Sequence, residues 1–135
     1  YEAEHVAKAV TGLSDVDIPD GADRITTLFR NVVAAARRGD WRGCLLCTAA
    51  AGPANDNAEI SASVARLLDQ MEQAFVVALN ASPRFADRDD GARATLAKLL
   101  LTQYVGLRIL TRSQAPLEMI EASVQALESM LDAAQ

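Results

Sequence analysis

The segment from Gly91 to Arg112 constrains the fold of this chain more than any other part of its sequence. Five leucines fall near one side of a helix over this segment: Leu96, Leu99, Leu100, Leu107 and Leu110. Leu101 and Val105 point nearly the opposite way. A helix that is apolar all round has to be covered all round. Because a chain of 135 residues has few other elements to cover it, we expect a second copy of the protein to supply the rest. The alternative is that the helix belongs to one larger monomeric core.

Composition predicts an all-α fold and a single domain spanning residues 1–135. Half of the residues are apolar, only 4% are aromatic, and valine and isoleucine do not cluster in short alternating runs. The net charge is -5 with no basic stripe, which argues against direct nucleic-acid binding. No apolar run reaches the roughly 18 to 20 residues of a membrane span. No signal-peptide pattern occurs, so we expect a cytoplasmic protein without membrane contact.

Helical periodicity and chain breakers predict about six helices. Their approximate ranges are 2–13, 22–38, 41–51, 57–80, 91–112 and 116–133. The first is expected to be the end of a helix that starts upstream. Asp56 is predicted to cap the long fourth helix, since Glu59 follows three residues later. Either Asp89 or Asp90 caps the fifth, and the segment Arg84–Asp90 before it is predicted to be a polar loop.

Gly39 is predicted to end the second helix, and Pro116 is predicted to begin the last. Gly39 suits the left-handed position that follows a helix C-terminus, and Arg37 and Arg38 complement the dipole of the helix before it. Pro116 is predicted at the first position of the final helix, where its missing N–H costs nothing.

The final helix carries two usable faces. One is a seam with alternating spacings of three and four: Leu117, Ile120, Val124, Leu127 and Leu131. The other is a strip of small and flexible residues, Met119, Ser123, Ala126 and Met130. Gly106 costs roughly 1 kcal/mol inside a helix, and close approach of another helix would justify it. We therefore predict a homodimer in which the last two helices of each chain form a four-helix bundle. The six residues of this assembly face are Gly106, Leu110, Met119, Ser123, Ala126 and Met130.

The sequence offers little support for catalysis, a cofactor or a metal. Cys44 and Cys47 form a C-x-x-C motif, but zinc needs four ligands and the only histidine is His5. Helical alkylhydroperoxidase-like enzymes carry a histidine four residues after the second cysteine, where this chain has Ala51. We favour the interpretation that both thiols are small buried hydrophobes. A thiol redox or peroxidase-like helical protein is kept as an alternative.

Three features together resemble the C-terminal effector-binding and dimerisation domain of tetracycline-repressor-like (TetR family) transcriptional regulators. The first is Phe29 in a helix that ends Ala36-Arg37-Arg38-Gly39, followed by Gly43-Cys44-Leu45-Leu46. The second is a long helix that ends Phe75-Val76-Val77-Ala78-Leu79. The third is Leu96-Ala97, then Gly106-Leu107-Arg108-Ile109-Leu110 and a closing helix.

The resemblance implies a mechanism. Such regulators carry an N-terminal helix-turn-helix domain of about 50 to 60 residues, and nothing in this sequence matches it. DNA would be bound only through that missing domain. A small-molecule effector would enter a helical core and shift residues 2–13, the lever that connects to the DNA-reading part.

Convergence of the apolar stripes predicts the residues that line an effector pocket. Most are apolar, with Tyr104, Gln103 and Cys47 supplying polar groups. The predicted set is Leu28, Phe29, Val32, Trp41, Cys47, Met71, Phe75, Gln103 and Tyr104. The alternative for each is simple core packing, as in a helical interaction module that binds no ligand.

Overall fold

The computed structural model describes residues 2–40 and 57–133, and the side chains of this part from residue 6 onward. Five α-helices occupy these ranges: α1 (Glu2–Leu13), α2 (Gly21–Arg37), α3 (Ala58–Asn80), α4 (Asp90–Arg112) and α5 (Leu117–Asp132). The described ranges contain no strand, which confirms the all-α prediction. The predicted short helix at 41–51 lies outside the described residues.

Side-chain caps set where three of the helices begin. Asp20 accepts a hydrogen bond from the Ala22 N–H at 2.9 Å, and Asp89 accepts one from the Ala92 N–H at 2.7 Å. Asp89 is therefore the cap of α4, one of the two predicted candidates. The cap of α3 was predicted wrongly as Asp56. Asn57 holds this position, because its side-chain oxygen accepts from the N–H groups of residues 59 and 60 at 2.9 and 3.2 Å and so satisfies two free donors of the first turn.

Left-handed residues end two of the helices. Gly39 follows α2 with φ 73°, as predicted, and the next N–H donates to the Ala35 carbonyl at 2.9 Å. Gln114 follows α4 with φ 57°, and the Ala115 N–H donates to the Leu110 carbonyl at 3.0 Å. Both ends have the hydrogen bonding of a Schellman motif. Pro116 then precedes α5 in an extended conformation with ψ 133°, so it is the N-cap and not the first helical residue as predicted.

Helix α3 is the centre of the described fold. It packs against α1, α2 and α4, whereas α5 packs mainly against α2. The predicted seam of α5 faces inward: Ile120, Val124, Leu127 and Leu131 are buried. Fully buried large side chains come from every helix and include Leu13, Ile25, Phe29, Phe75, Leu79, Leu100 and Leu131. These residues belong to one continuous hydrophobic core.

The start of α2 lies directly against the backbone of α3. A Cβ atom added to Gly21 would lie 1.6 Å from the carbonyl oxygen of Ala78. The Gly21 N–H also donates to the Ala81 carbonyl at 3.4 Å. No side chain fits at this crossing, so glycine determines how closely the two helices approach.

The segment that follows α3 is less polar than predicted. Pro83–Phe85 forms a 3₁₀ turn, and the Phe85 side chain is buried in the core. Arg84 in the same turn reaches three carboxylates: Asp20 at 3.2 Å, Asp23 at 2.9 Å and Asp132 at 3.0 Å. The turn therefore fastens the start of α2 to the end of α5.

We expect Arg84→Met to lower the free energy of unfolding by about 1 to 2 kcal/mol, since three pairs on one guanidinium are lost and exposed pairs contribute up to about 1 kcal/mol each. Urea unfolding at low salt and at about 1 M NaCl checks this, because salt screens such pairs. Arg66→Met is the control, as the exposed Arg66 side chain donates one hydrogen bond, to the Ser63 hydroxyl at 3.4 Å, and forms no ion pair within the described residues. Equal stability of the Arg84 variant and the wild type at low salt would contradict the expectation.

Candidate functional site

Three aromatic side chains from three helices meet in the core. Phe29 of α2 lies with its ring centroid 6.3 Å from Phe75 of α3 and 5.9 Å from Tyr104 of α4. The Phe75 and Tyr104 centroids are 6.5 Å apart. All three are buried, and both contacts of Tyr104 are edge-to-face, the favoured geometry for aromatic pairs. We call these three residues the aromatic cluster. All three belong to the predicted pocket set.

The rest of the predicted pocket set divides into three groups. Val32 and Met71 are buried, one helical turn from Phe29 and Phe75 respectively, and Leu28 is half-buried against the core. Gln103 is exposed, because it lies about 100° around the helix from its neighbour Tyr104. The structure therefore does not bring Gln103 to the cluster. The predicted residues Trp41 and Cys47 lie outside the described residues, as does Cys44.

The aromatic cluster is closed within the core, since Phe29 and Phe75 are fully buried and Tyr104 is 5% exposed. Its one polar group is the Tyr104 hydroxyl. Within residues 2–40 and 57–133, no three histidine, cysteine, aspartate or glutamate side chains are grouped so that they could hold a metal ion.

The predicted assembly face is incompletely covered by its own chain. Met119 and Met130 are 48% and 39% exposed, and Ala126 is also exposed. Gly106, Leu110 and Ser123 are half-buried. A Cβ atom added to Gly106 would meet nothing within 4 Å, so nothing in residues 2–40 and 57–133 makes the close approach that the glycine would permit.

Leu99 belongs with this face, although the sequence pattern groups it near one side of the helix with Leu100 and Leu107, which are buried. It is 43% exposed. The buried positions of α4 are Ala97, Leu100, Tyr104, Leu107 and Thr111, and Leu99 lies about 100° from Leu100 around the helix. Its spacing of seven residues from Gly106 was the signal that could have placed it correctly, because residues seven apart lie on the same side.

The acidic residues of α5 lie mainly on the side that faces α2 and the 3₁₀ turn. Glu128 accepts from Arg30 at 2.7 Å and Glu121 from Arg37 at 3.4 Å. The hydrogen bond and the charge of Glu128 raise the pKa of the Arg30 guanidinium. Both pairs are exposed and contribute little stability. Because these acidic residues lie on the side of α5 that faces α2, the strip from Met119 to Met130 carries no charge.

No family model matches the chain, and comparisons with curated proteins and with solved structures likewise give no match. None of the helices in the described ranges has the length and apolar character needed to cross a membrane. The functional interpretation of the aromatic cluster and of the assembly face therefore depends on the geometry and chemistry of the chain itself.

Proposed function

We propose that this chain is the ligand-sensing and dimerisation domain of a TetR-like transcriptional regulator. The observation that carries the proposal is the uncharged apolar surface on the last two helices. Of the six large hydrophobic side chains that are exposed in the described residues, Leu99, Met119 and Met130 belong to α4 and α5. Exposed apolar surface of this kind is typical of a protein–protein interface.

A two-fold dimer is the simplest arrangement that covers this surface. Each protomer contributes α4 and α5, and the four helices pack as a bundle. Gly106, where a Cβ atom would meet nothing within 4 Å, allows the backbone of a partner helix to come close. The small side chains of Ser123 and Ala126 allow the same on α5.

Effector binding is proposed at the aromatic cluster, where the rings, packed together without ligand, would separate to admit it, and α1 is proposed to carry the response to a DNA-binding domain. Helix α1 packs against both α2 and α3, the helices that supply Phe29 and Phe75. The buried Arg24 of α2 donates to the carbonyl oxygens of Ile18 at 2.7 Å and Leu13 at 3.4 Å. The end of α1 is therefore fastened to α2. An effector that binds two positions of these helices unequally shifts the population between them.

The dimer is tested by light scattering coupled to size-exclusion chromatography. We expect a dimer at micromolar concentration and a dissociation constant raised about 100-fold or more by Met130→Glu, because an unpaired carboxylate would be buried at the interface. Gly106→Leu is expected to weaken the dimer as well. Val77→Glu is the matched control, since Val77 is 50% exposed on α3 and lies outside the assembly face. A monomeric wild-type protein at micromolar concentration would overturn the dimer.

Ligand sensing is tested separately by thermal denaturation with a library of apolar and amphipathic small molecules. A ligand that binds only the folded state raises the melting temperature. We expect selective stabilisation by a chemically related subset of the library. A helical interaction module that binds no ligand would show no selective shift, and that outcome would overturn the sensing role.

A further inference from the structure

A seam of uncharged residues runs along α4 and its C-cap. Its members alternate in spacing between four and three residues, the pattern of a helix that packs along its length against another helix. All seven are exposed or half-buried: Ala92, Leu96, Leu99, Gln103, Gly106, Leu110 and Ser113. The buried positions of α4 are different ones, namely Ala97, Leu100, Tyr104, Leu107 and Thr111. The seam, which we call the α4 seam, is therefore a second packing face of the same helix.

The distribution of charge favours a second copy of this chain as the partner of the α4 seam. At 3.6 residues per turn, each charged residue of α4 lies at least about 100° around the helix from the centre of the seam. These residues are Asp90, Arg93, Lys98, Arg108 and Arg112. The net charge of the chain is -5, so two copies repel each other wherever their acidic surfaces meet. An uncharged face is where they associate at the lowest electrostatic cost.

The sizes of the side chains also match when two copies of the α4 seam run antiparallel and overlap fully. In this register, each Leu99 lies opposite Gly106 of the partner subunit. Leu99 is 43% exposed, and a Cβ atom added to Gly106 would meet nothing within 4 Å. A large side chain without cover thus meets a position with free space, which is the knobs-into-holes arrangement of packed helices.

Gln103 is the middle residue of the α4 seam, with three seam residues on each side, and it is exposed. A two-fold axis through the middle of the overlap brings Gln103 against its own copy. A primary amide has both donors and an acceptor, so two identical amides pair through reciprocal hydrogen bonds. Two carboxylates or two ammonium groups would repel each other at the same place.

We propose that α4 packs antiparallel against α4 of a second copy, and that the two Gln103 side chains pair at the two-fold axis and fix the register. This inference rests on the proposed dimerisation and names the residue that determines its geometry. A single polar residue in an apolar seam costs stability but selects one alignment, because any other alignment leaves the amide against apolar side chains.

Cysteine cross-linking tests whether Gln103 lies at the axis. The full chain carries Cys44→Ser and Cys47→Ser to remove the natural thiols, and diamide is the oxidant. A disulfide requires Cα atoms within about 7 Å of each other, a condition met by a residue that faces its own copy. We expect Gln103→Cys to form the disulfide-linked dimer at least about tenfold faster than Lys98→Cys. Lys98 is the matched control, since it is exposed on the same helix but lies off the seam.

A charge substitution tests the amide pair in the chain with its natural cysteines. We expect Gln103→Glu to raise the dissociation constant of the dimer at least about tenfold at pH 7, because two carboxylates would face each other at the axis. Gln73→Glu makes the same change at an exposed position of α3, and it should dimerise like the wild type. Light scattering over a dilution series measures both constants.

The outcomes separate the role of Gln103 from dimerisation itself. A dimer in which Gln103→Cys cross-links no faster than Lys98→Cys, or in which Gln103→Glu leaves the dissociation constant unchanged, would overturn the Gln103 pair and leave dimerisation in place. Loss of the folded circular-dichroism spectrum in both Gln103 variants would assign the residue to the fold of one chain and also overturn the pair. A monomeric wild-type protein at micromolar concentration would overturn the proposed dimerisation.

Discussion

Gly21→Ala is expected to destabilise the protein by about 3 kcal/mol or more, at or above the usual upper range for inserting a methyl group into a packed site. The new Cβ would lie 1.6 Å from the carbonyl oxygen of Ala78. This obstacle is backbone, so no rotamer change can relieve it. Helices α2 and α3 would have to move apart, which would also lengthen the hydrogen bond between the Gly21 N–H and the Ala81 carbonyl. Urea unfolding followed by circular dichroism measures the loss.

Gly12→Ala is the matched control for the Gly21 substitution. Gly12 is helical like Gly21, but it is exposed, and a Cβ atom there would meet nothing within 4 Å. Replacing a glycine inside a helix by alanine normally stabilises by roughly 0.5 to 1 kcal/mol. We therefore expect the two substitutions to have opposite signs. A Gly21→Ala protein as stable as the wild type would contradict the close crossing of α2 and α3.

Phe75→Ala is expected to lower the free energy of unfolding by about 3 to 5 kcal/mol, the usual cost of deleting a fully buried aromatic ring. Phe75 is fully buried and contacts the rings of Phe29 and Tyr104. Its removal would leave a cavity bordered by two rings that have lost a partner. Because the total stability of such a domain is about 5 to 15 kcal/mol, this variant should unfold at much lower urea concentration.

Val77→Ala on the same helix is the control, since its half-exposed side chain should cost less than about 0.5 kcal/mol. The comparison also separates two interpretations of the aromatic cluster. A packed core predicts the full loss for Phe75→Ala, whereas a ring that lines an open pocket has fewer contacts to lose. A loss below about 1 kcal/mol would contradict the packed arrangement of the three rings.

Helix positions could be predicted from the sequence because their signals are local. Asp89 and Gly39 mark a start and an end by their own side-chain or backbone properties, and the α5 seam follows from spacing alone. Local signals are weaker where two neighbours have the same property. Asp56 and Asn57 are both good N-caps, and only the described hydrogen bonds of Asn57 decide between them.

The features that depend on tertiary contact could not be predicted. Nothing near Gly21 in the sequence shows that Ala78 approaches it, and the predicted helix begins one residue later, at 22. Phe85 lies in a segment rich in charged residues, so the burial of its side chain was not predicted. The sequence did not separate the exposed Leu99 from the buried Leu100, because consecutive leucines at 99–101 leave the phase of the helix ambiguous. The aromatic cluster was anticipated only because three apolar stripes had to converge on one core.

The turn between α4 and α5 has a consequence for recognition. Gln114 adopts a left-handed conformation, which is unfavourable for a residue with a side chain, and Pro116, two residues later, restricts the chain again. A turn with these two restrictions has few alternative conformations, so the angle between α4 and α5 is fixed. Any molecule that docks across both helices therefore meets a rigid template, and little conformational entropy is lost when the complex forms.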